Sequence, residues 1–272
     1  MAALVALAAS AQGPAAVQAQ NKAAYESQAL DGGADAVRLF YFTHGETPQD
    51  TQEFVNMIRT TAAIQRIFPY AAQRTIALRG TPDEIALAEW LFSRLDKPAD
   101  PQTARTATYE FPQPSGGVEA VRVFYFTHDE TPEDLQRMIS LIRTTADIQR
   151  IYPYVTRRAI ALRGSAAQIA LAEWLFGELD KDVTPQTKRT EAYERLAAGG
   201  RSDAVRLFFF ARNETPHDLQ EIIQLIRTTA DIQRMAPYGP RRAIALRGTP
   251  AQIALAEWLF GKLSTPPSEV QR

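Results

Sequence analysis

The sequence predicts an α+β protein made of three tandem βαββα repeats, and two observations carry this prediction. The first is an identical octapeptide, Ile-Ala-Leu-Ala-Glu-Trp-Leu-Phe, which occurs at residues 85–92, 169–176 and 253–260. Both spacings are 84 residues (169 − 85 and 253 − 169). The second is the hydrophobic pattern inside one repeat, which switches between strand and helix periodicity in a fixed order. The 272-residue chain is therefore expected to contain three small units rather than one or two ordinary domains.

The first half of the repeat is clearest in the middle copy. Residues 121–126 read Val-Arg-Val-Phe-Tyr-Phe, and β-branched and aromatic side chains of this kind favour a strand. Thr131 then fits an N-cap, Pro132 the first helical position and Asp134 the third residue of a capping box. Such a cap stabilises a helix by about 1 kcal/mol. The apolar residues after it have helical spacing and predict an amphipathic helix: Leu135, Met138, Ile139 and Ile142.

Two short strands and a second helix complete the repeat. The proline within residues 151–154 predicts that this strand lies at a sheet edge. Residues 159–162 place Ile and Leu on one side and Ala on the other, as in a half-buried strand, and Gly164 ends it. Ser165 then caps the second helix. The other copies have threonine followed by proline at this cap: Thr81-Pro82 and Thr249-Pro250.

The joins between the copies keep the same register, because three tyrosines also recur at the 84-residue spacing: Tyr25, Tyr109 and Tyr193. A structureless loop as long as these joins is uncommon in a compact array. Residues 106–111 are therefore predicted to form an extra strand, joined through the turn at residues 114–117 to the next one. The predicted boundaries are residues 20–97 for repeat 1, 104–181 for repeat 2 and 188–264 for repeat 3, with a disordered tail at 265–272.

Residues 1–19 are predicted to be a signal peptide. They begin with a short apolar run and contain two small-x-small sites of the kind cleaved after export, although no Lys or Arg precedes Lys22. The alternative is a disordered Ala-rich tail. No other segment approaches the ~20 apolar residues that span a bilayer. An exported protein of the periplasm or cell envelope, with no membrane-spanning segment in its mature form, is the expectation.

The composition offers no catalytic centre. The chain has no cysteine, which excludes thiolate chemistry, disulfides and Cys-based zinc sites, and it lacks a Gly-x-Ser-x-Gly motif. His44 and His128 are equivalent, but the third copy has Arg212 there, and His217 lies elsewhere. A metal site needs three or four donors that converge. We therefore expect a non-enzymatic protein with no catalytic residue, no cofactor and no metal.

The aromatic first strands raise nucleic-acid binding as an alternative function. Residues 40–42, 124–126 and 208–210 each hold three aromatic rings, and RNA-recognition motifs stack bases on such rings. The strand at residues 159–162 has no ring, however, and the net charge of the chain is −1. A nucleic-acid binder is expected to carry a concentrated basic face. The rings are predicted to pack in the core instead, and no nucleic-acid partner is expected.

The second helix has apolar residues on more than one side. Each copy places a tryptophan beside a leucine, away from the face that carries the Ile and Phe of the octapeptide. Two interpretations remain open: the tryptophan belongs to the core of its own repeat, or it packs on a neighbour or partner, because wide apolar helix faces mark interfaces. The candidate interface residues are Trp90, Trp174, Trp258, Leu87, Leu171 and Leu255.

These patterns resemble the short N-terminal domains of secretins, the NolW-like domains. The residues that carry the resemblance are the strand at 121–126, the helix start at 131–134, and the Ala-Ile-Ala-Leu-Arg-Gly strand at 159–164 leading into the helix at 169–180. A second helix that closes on Leu-Asp is typical of that family. Repeats 1 and 2 fit this ending, and Leu263-Ser264 in repeat 3 departs from it.

The resemblance implies a three-stranded sheet with two helices on one face and no chemistry. Proteins with such domains build the periplasmic rings of type II and type III secretion and of type IV pili, and they bind machinery components or one another. Only residues 265–272 come after the last helix, so a secretin barrel is not expected here. The predicted function is a non-enzymatic scaffold or interaction protein of the envelope, in a secretion or type IV pilus system.

Overall fold

The three repeats fold as predicted. The computed structural model describes residues 22–28, 34–43, 47–96, 108–113, 117–126, 131–181, 189–196, 202–210 and 216–263. These residues form twelve strands and six α-helices, in three copies of the same order of elements. The chain divides into two compact bodies, an N-terminal body of residues 1–99, which holds repeat 1, and a C-terminal body of residues 100–272, which holds repeats 2 and 3.

The N-terminal body is one four-stranded antiparallel sheet with two helices. Its elements are β1 (Lys22–Gln28), β2 (Ala34–Tyr41), α1 (Pro48–Thr61), β3 (Arg66–Tyr70), β4 (Thr75–Gly80) and α2 (Pro82–Leu95). The strand order is β1-β2-β4-β3. A one-turn 3-10 helix joins β3 to β4. In this strand order the proline-containing strand β3 lies at the sheet edge, as its sequence predicts.

The C-terminal body repeats this architecture twice. The elements of repeat 2 are β5 (Thr108–Gln113), β6 (Gly117–Tyr125), α3 (Pro132–Ala146), β7 (Arg150–Tyr154), β8 (Ala159–Gly164) and α4 (Ala166–Leu179). Those of repeat 3 are β9 (Arg189–Leu196), β10 (Ser202–Phe209), α5 (Pro216–Ala230), β11 (Arg234–Tyr238), β12 (Ala243–Gly248) and α6 (Pro250–Lys262). The strand orders are β5-β6-β8-β7 and β9-β10-β12-β11.

The extra strand predicted in the joins is present in each repeat, so the sheet has four strands rather than three. In repeat 2, β5 pairs antiparallel with β6, with Tyr109 opposite Val121 and Gln113 opposite Gly117. Without this strand, β6 would expose a row of unpaired backbone groups at the edge of the sheet, where it could pair with another chain. The join therefore pairs this side of β6 and supplies the edge strand of the sheet itself.

The predicted helix caps are also confirmed. Thr131 accepts a hydrogen bond from the backbone of Asp134, and the Asp134 carboxylate accepts one from the backbone N–H of Thr131. The same reciprocal pair starts four more helices: Thr47 with Asp50, Thr81 with Glu84, Ser165 with Gln168, and Thr249 with Gln252. These local contacts fix where each helix begins, because they satisfy backbone donors that have no partner inside the helix.

Several sequence predictions concern residues outside those the structure describes. They include the signal peptide or tail at 1–19, the tail at 265–272, and His44, His128 and Arg212. The repeat boundaries stay predictions for the same reason. Across the described part of the chain, none of the helices is both long enough and apolar enough to cross a membrane.

Candidate interaction surfaces

The first and third rings of each aromatic run (residues 40–42, 124–126 and 208–210) lie in the cores, whereas the middle ring lies on the other side of the strand. In repeat 1 the rings of Phe40 and Phe42 lie 4.8 and 5.2 Å from the ring of Phe92, centroid to centroid. Phe40 and Phe42 are buried. In repeat 2 the rings of Phe124 and Phe126 pack in the same way against Phe176. In repeat 3 those of Phe208 and Phe210 pack against Phe260. Rings held in this way cannot stack on bases, so these buried rings give no support to nucleic-acid binding.

In each repeat an ion pair joins the second strand (β2, β6 or β10) to the glutamate of the octapeptide. In repeat 2 the guanidinium of Arg122 donates to both carboxylate oxygens of Glu173 at 2.6 Å. The equivalent pairs are Arg38 with Glu89 and Arg206 with Glu257. A bidentate contact of this kind sets orientation as well as charge balance. The hydrophobic pattern does not reveal these pairs, although the Arg and Glu recur 51 residues apart in every copy.

Within the C-terminal body, the sheet of repeat 3 uses both faces. One face carries Phe208 and Phe210 and packs on the helices of repeat 3 itself. The other carries Val205, Leu207 and Phe209, which lie in one hydrophobic cluster with the helices of repeat 2. We call this second side the outer sheet face. Strand β11 of repeat 3 contacts α3 of repeat 2 directly, so the two repeats stack sheet against helices.

The repeat 2 side of this contact contains two of the candidate interface residues. Leu171 is buried in the shared cluster, and Trp174 is half-buried against it. The Trp174 ring lies 5.4 Å from the ring of Tyr193, a residue of the join strand β9. The recurring tyrosine of the join therefore meets the recurring tryptophan of the preceding repeat.

Two arginines of repeat 3 anchor the contact by donating to helix ends of repeat 2. Arg247 donates to the carbonyl of Thr145 in the last turn of α3 at 2.9 Å and also pairs with Asp203. Arg241 donates to the carbonyl of Leu179, the last residue of α4, at 2.9 Å. The last carbonyls of a helix lack partners inside it, and cations are favourable there. The stack is thereby held in one register.

The corresponding helix face of repeat 3 is exposed. Leu255 is 39% exposed, Trp258 59% and Leu263 42%. Their copies in repeat 2 are Leu171, Trp174 and Leu179, of which the two leucines are fully buried. The sequences of the two helix faces are alike. The difference in exposure therefore arises because repeat 3 covers the helices of repeat 2.

In repeat 1 the equivalent residues are less exposed. Leu87 is fully buried, and Trp90 is half-buried with the guanidinium of Arg94 lying 5.8 Å from the centre of its ring. The leucine is buried and the tryptophan half-buried in repeats 1 and 2, whereas both are exposed in repeat 3. The prediction that all six candidate residues form an interface remains a prediction.

The Asp134 carboxyl, which has a shifted pKa, is part of a helix cap. Burial raises the pKa of the Asp134 carboxyl, but hydrogen bonds from Thr131 and the charge and hydrogen bond of Arg137 outweigh it and leave the pKa lowered. His217 lies in the first turn of α5, is exposed, and faces Glu221 at 3.3 Å. Among the described residues, no three His, Asp or Glu side chains group closely enough to hold a metal ion.

The similarity of this chain to solved structures is weak. No protein-family model matches this chain, and no curated protein matches it in sequence. A solved structure titled "Structure of XcpQN012" aligns over 90% of this chain and 99% of that chain, with 13% sequence identity and a TM-score of 0.25. A similarity this loose carries no conclusion about fold or function.

Proposed function

We propose that this protein is a non-enzymatic scaffold of the cell envelope that acts through protein–protein contacts. The observation that carries this proposal is the apolar helix face of repeat 3, with Leu255, Trp258 and Leu263 exposed. Large apolar side chains grouped on a surface mark interaction sites. The same side chains in repeat 2 are covered by a protein surface, which indicates the kind of partner that this face accepts.

The roles of the recurring polar side chains support a scaffold rather than an enzyme. The glutamate of the octapeptide pairs with an arginine of the second strand (β2, β6 or β10) in every repeat. The Thr, Ser, Asp, Glu and Gln residues at the helix starts form capping boxes. The polar side chains that the repeat preserves are thus engaged in holding its elements together.

The proposed location and the proposed system rest on the sequence. The apolar N-terminal run with its small-x-small sites is the pattern of an exported protein, and the resemblance to the N-terminal domains of secretins favours a periplasmic role in secretion or in type IV pili. Protein components of such a machine, or further copies of this chain, are the partners we propose.

The test uses a photoreactive amino acid in place of Trp258 in the full-length protein, expressed in its own cells. We expect the protein in the envelope fraction and a crosslink from position 258 to a secretion or pilus component or to another copy. Val118 is 60% exposed on strand β6 of repeat 2 and serves as the control position, which should crosslink weakly. A cytosolic protein, or equal crosslinking from both positions, would contradict the proposal. A salt-dependent mobility shift with single-stranded RNA would favour the nucleic-acid alternative instead.

A further inference from the structure

We infer that this chain binds a second copy of itself through two different faces, a step that rests on the proposed scaffold function and names its partner. The tail face, on the helices of repeat 3, is the part of one copy that makes the contact. The head face, on the outer sheet face of repeat 1, is the part of the next copy that covers it. The tail face consists of Leu225, Leu255, Trp258, Leu259 and Leu263. The head face consists of Val37, Leu39, Tyr41, Phe68 and Tyr70.

The template for this contact is the stack of repeats 2 and 3 within one chain. In repeat 2 the copies of the tail-face leucines are Leu141, Leu171, Leu175 and Leu179, and all four are fully buried. They share a cluster with the outer sheet face of repeat 3. In repeat 3 no further repeat comes next among the described residues, and Leu255 and Leu263 are 39% and 42% exposed. The tail face is therefore built to receive an outer sheet face of this kind.

The head face is the matching surface. Phe209 and Tyr238 of repeat 3 are 1% and 0% exposed because they lie on the outer sheet face that covers repeat 2. The copies of Ala236 and Tyr238 in repeat 1 are Phe68 and Tyr70, which are 68% and 50% exposed. Two exposed aromatic rings on a sheet face are costly in water, since each ring buries 150–250 Å² when it is enclosed.

The polar residues that join repeats 2 and 3 also have copies in the head-face repeat, repeat 1, and in the tail-face repeat, repeat 3. Arg79 is the copy of Arg247, and Thr229 is the copy of Thr145, the residue whose carbonyl Arg247 contacts at 2.9 Å. Arg247 holds Asp203 and this carbonyl at the same time. Arg79 can likewise keep its contacts within repeat 1 and donate to the Thr229 carbonyl of another copy. Gln73 replaces Arg241 and retains an N–H donor without the charge.

The two faces are different surfaces, so the association is heterologous. Each copy that joins leaves one head face and one tail face open at the ends of the assembly. Such contacts produce a ring when the rotation between copies closes, and a filament when it does not. The extent of association is therefore expected to rise with protein concentration.

Sedimentation of the full-length protein at increasing concentration tests this inference. We expect self-association, weakened at least about tenfold by Trp258→Glu or by Phe68→Glu, as for an aromatic residue central to an interface. Val118→Glu is the matched control, because Val118 is 60% exposed and lies on neither face; this variant should associate like the parent. Circular dichroism and thermal melts check that all three variants fold.

Mixing the two disrupted variants gives a sharper result. The Trp258→Glu protein keeps an intact head face, and the Phe68→Glu protein keeps an intact tail face. Their mixture should form a dimer of one copy of each and nothing larger, because the remaining faces are both blocked. Free growth of the mixture, or unchanged association of either variant alone, would overturn the inference.

Crosslinking locates the contact, and the absence of cysteine from the chain makes engineered thiols specific. Thr229→Cys in one copy and Phe68→Cys in another should be joined by a short bismaleimide into a product containing both variants. Products that contain only one variant would show a different contact and overturn the inference. A chain that stays monomeric would also overturn it, while a crosslink from position 258 to another envelope protein would still support the scaffold proposal.

Discussion

At the scale of single residues, the position that follows the first helix is strained in repeat 1 but not in repeats 2 and 3, because its residue type differs. An equivalent residue one or two positions after the first helix of each repeat has a positive φ: 64° at Ala63, 60° at Asp147 and 50° at Asp231. Aspartate tolerates the left-handed region because its short side chain can bond locally, whereas alanine there costs roughly 1–2 kcal/mol. Ala63 is therefore a site where the fold overrides the local preference of the residue.

Replacing Ala63 with glycine should stabilise the N-terminal body. Glycine adopts positive φ without a steric cost, which outweighs the greater freedom it gives to the unfolded chain, so we expect a gain of about 0.5–1 kcal/mol. Ala86→Gly is the matched control within α2, where Ala86 is exposed. The same substitution there should cost about 1 kcal/mol. Urea unfolding of both variants measures the two changes, and a loss at both positions would contradict this account.

The capping carboxylate Asp134 makes the stability of the C-terminal body sensitive to acid. Its pKa is lowered in the folded state because hydrogen bonds from Thr131 and Arg137 outweigh the effect of burial. A carboxyl whose pKa is depressed by folding stabilises the protein above its unfolded value of about 4 and loses this contribution as the pH falls through the folded value. Stability should therefore fall with acidification below about pH 4.

Asp134→Asn tests this assignment. Asparagine cannot ionise, so the variant should be less stable than the parent at neutral pH and should show a shallower decline in acid. Thermal melts over a series of pH values measure both effects. Equal acid sensitivity of the two proteins would show that another group is responsible.

At the scale of elements, the second helix of a repeat serves two surfaces at once. In α4 one side carries Phe176, which packs on the rings of Phe124 and Phe126 of its own sheet. Another side carries Leu171 and Trp174, which meet repeat 3. The octapeptide is apolar on several sides for this reason. Its glutamate is directed to an arginine of the sheet, which orients the helix between the two surfaces.

The same tryptophan should therefore matter differently in neighbouring repeats. Trp174→Ala removes a half-buried ring that lies 5.4 Å from the Tyr193 ring, and we expect a loss of about 2 kcal/mol in denaturant unfolding. Trp258 is 59% exposed, so Trp258→Ala should change the unfolding free energy of the dilute protein by less than about 0.5 kcal/mol. Equal losses would mean that both rings belong to the cores of their own repeats.

At the scale of the whole molecule, repeats 2 and 3 depend on each other. Among the described residues, repeat 3 has no element of its own on its outer sheet face, and Val205, Leu207 and Phe209 are buried there because repeat 2 covers them. This is the nearest-neighbour logic of repeat proteins, in which each copy completes the surface of the next. The helix ends of repeat 2 in turn receive Arg241 and Arg247.

Separating the two repeats should expose this dependence. A fragment of residues 188–272 is expected to bind hydrophobic dyes and to aggregate, because its outer sheet face is uncovered. A fragment of residues 104–272 keeps the outer sheet face of repeat 3 covered by repeat 2 and should unfold at a higher denaturant concentration. Parallel expression and chemical unfolding compare them. Equal stability of the two fragments would show that the stack contributes little.

The sequence by itself determined the repeat, the order of its elements, the helix starts and the extra strand of each sheet. These features depend on contacts between residues close together in the chain, such as Thr131 with Asp134, or on a hairpin such as β5 with β6. Hydrophobic spacing and turn chemistry report such contacts directly. The burial of Phe40 and Phe42 and of their copies in the cores was also predictable from the pattern.

Only the tertiary structure decided what covers each apolar face. Identical octapeptides differ in exposure, from fully buried Leu171 to Leu255 at 39%, because the covering surface comes from residues far along the chain. The contact of Arg247 with the Thr145 carbonyl spans 102 residues, and no local periodicity encodes a pairing at that distance. A repeated sequence specifies the same fold each time, while its position in the array decides which of its surfaces remains open.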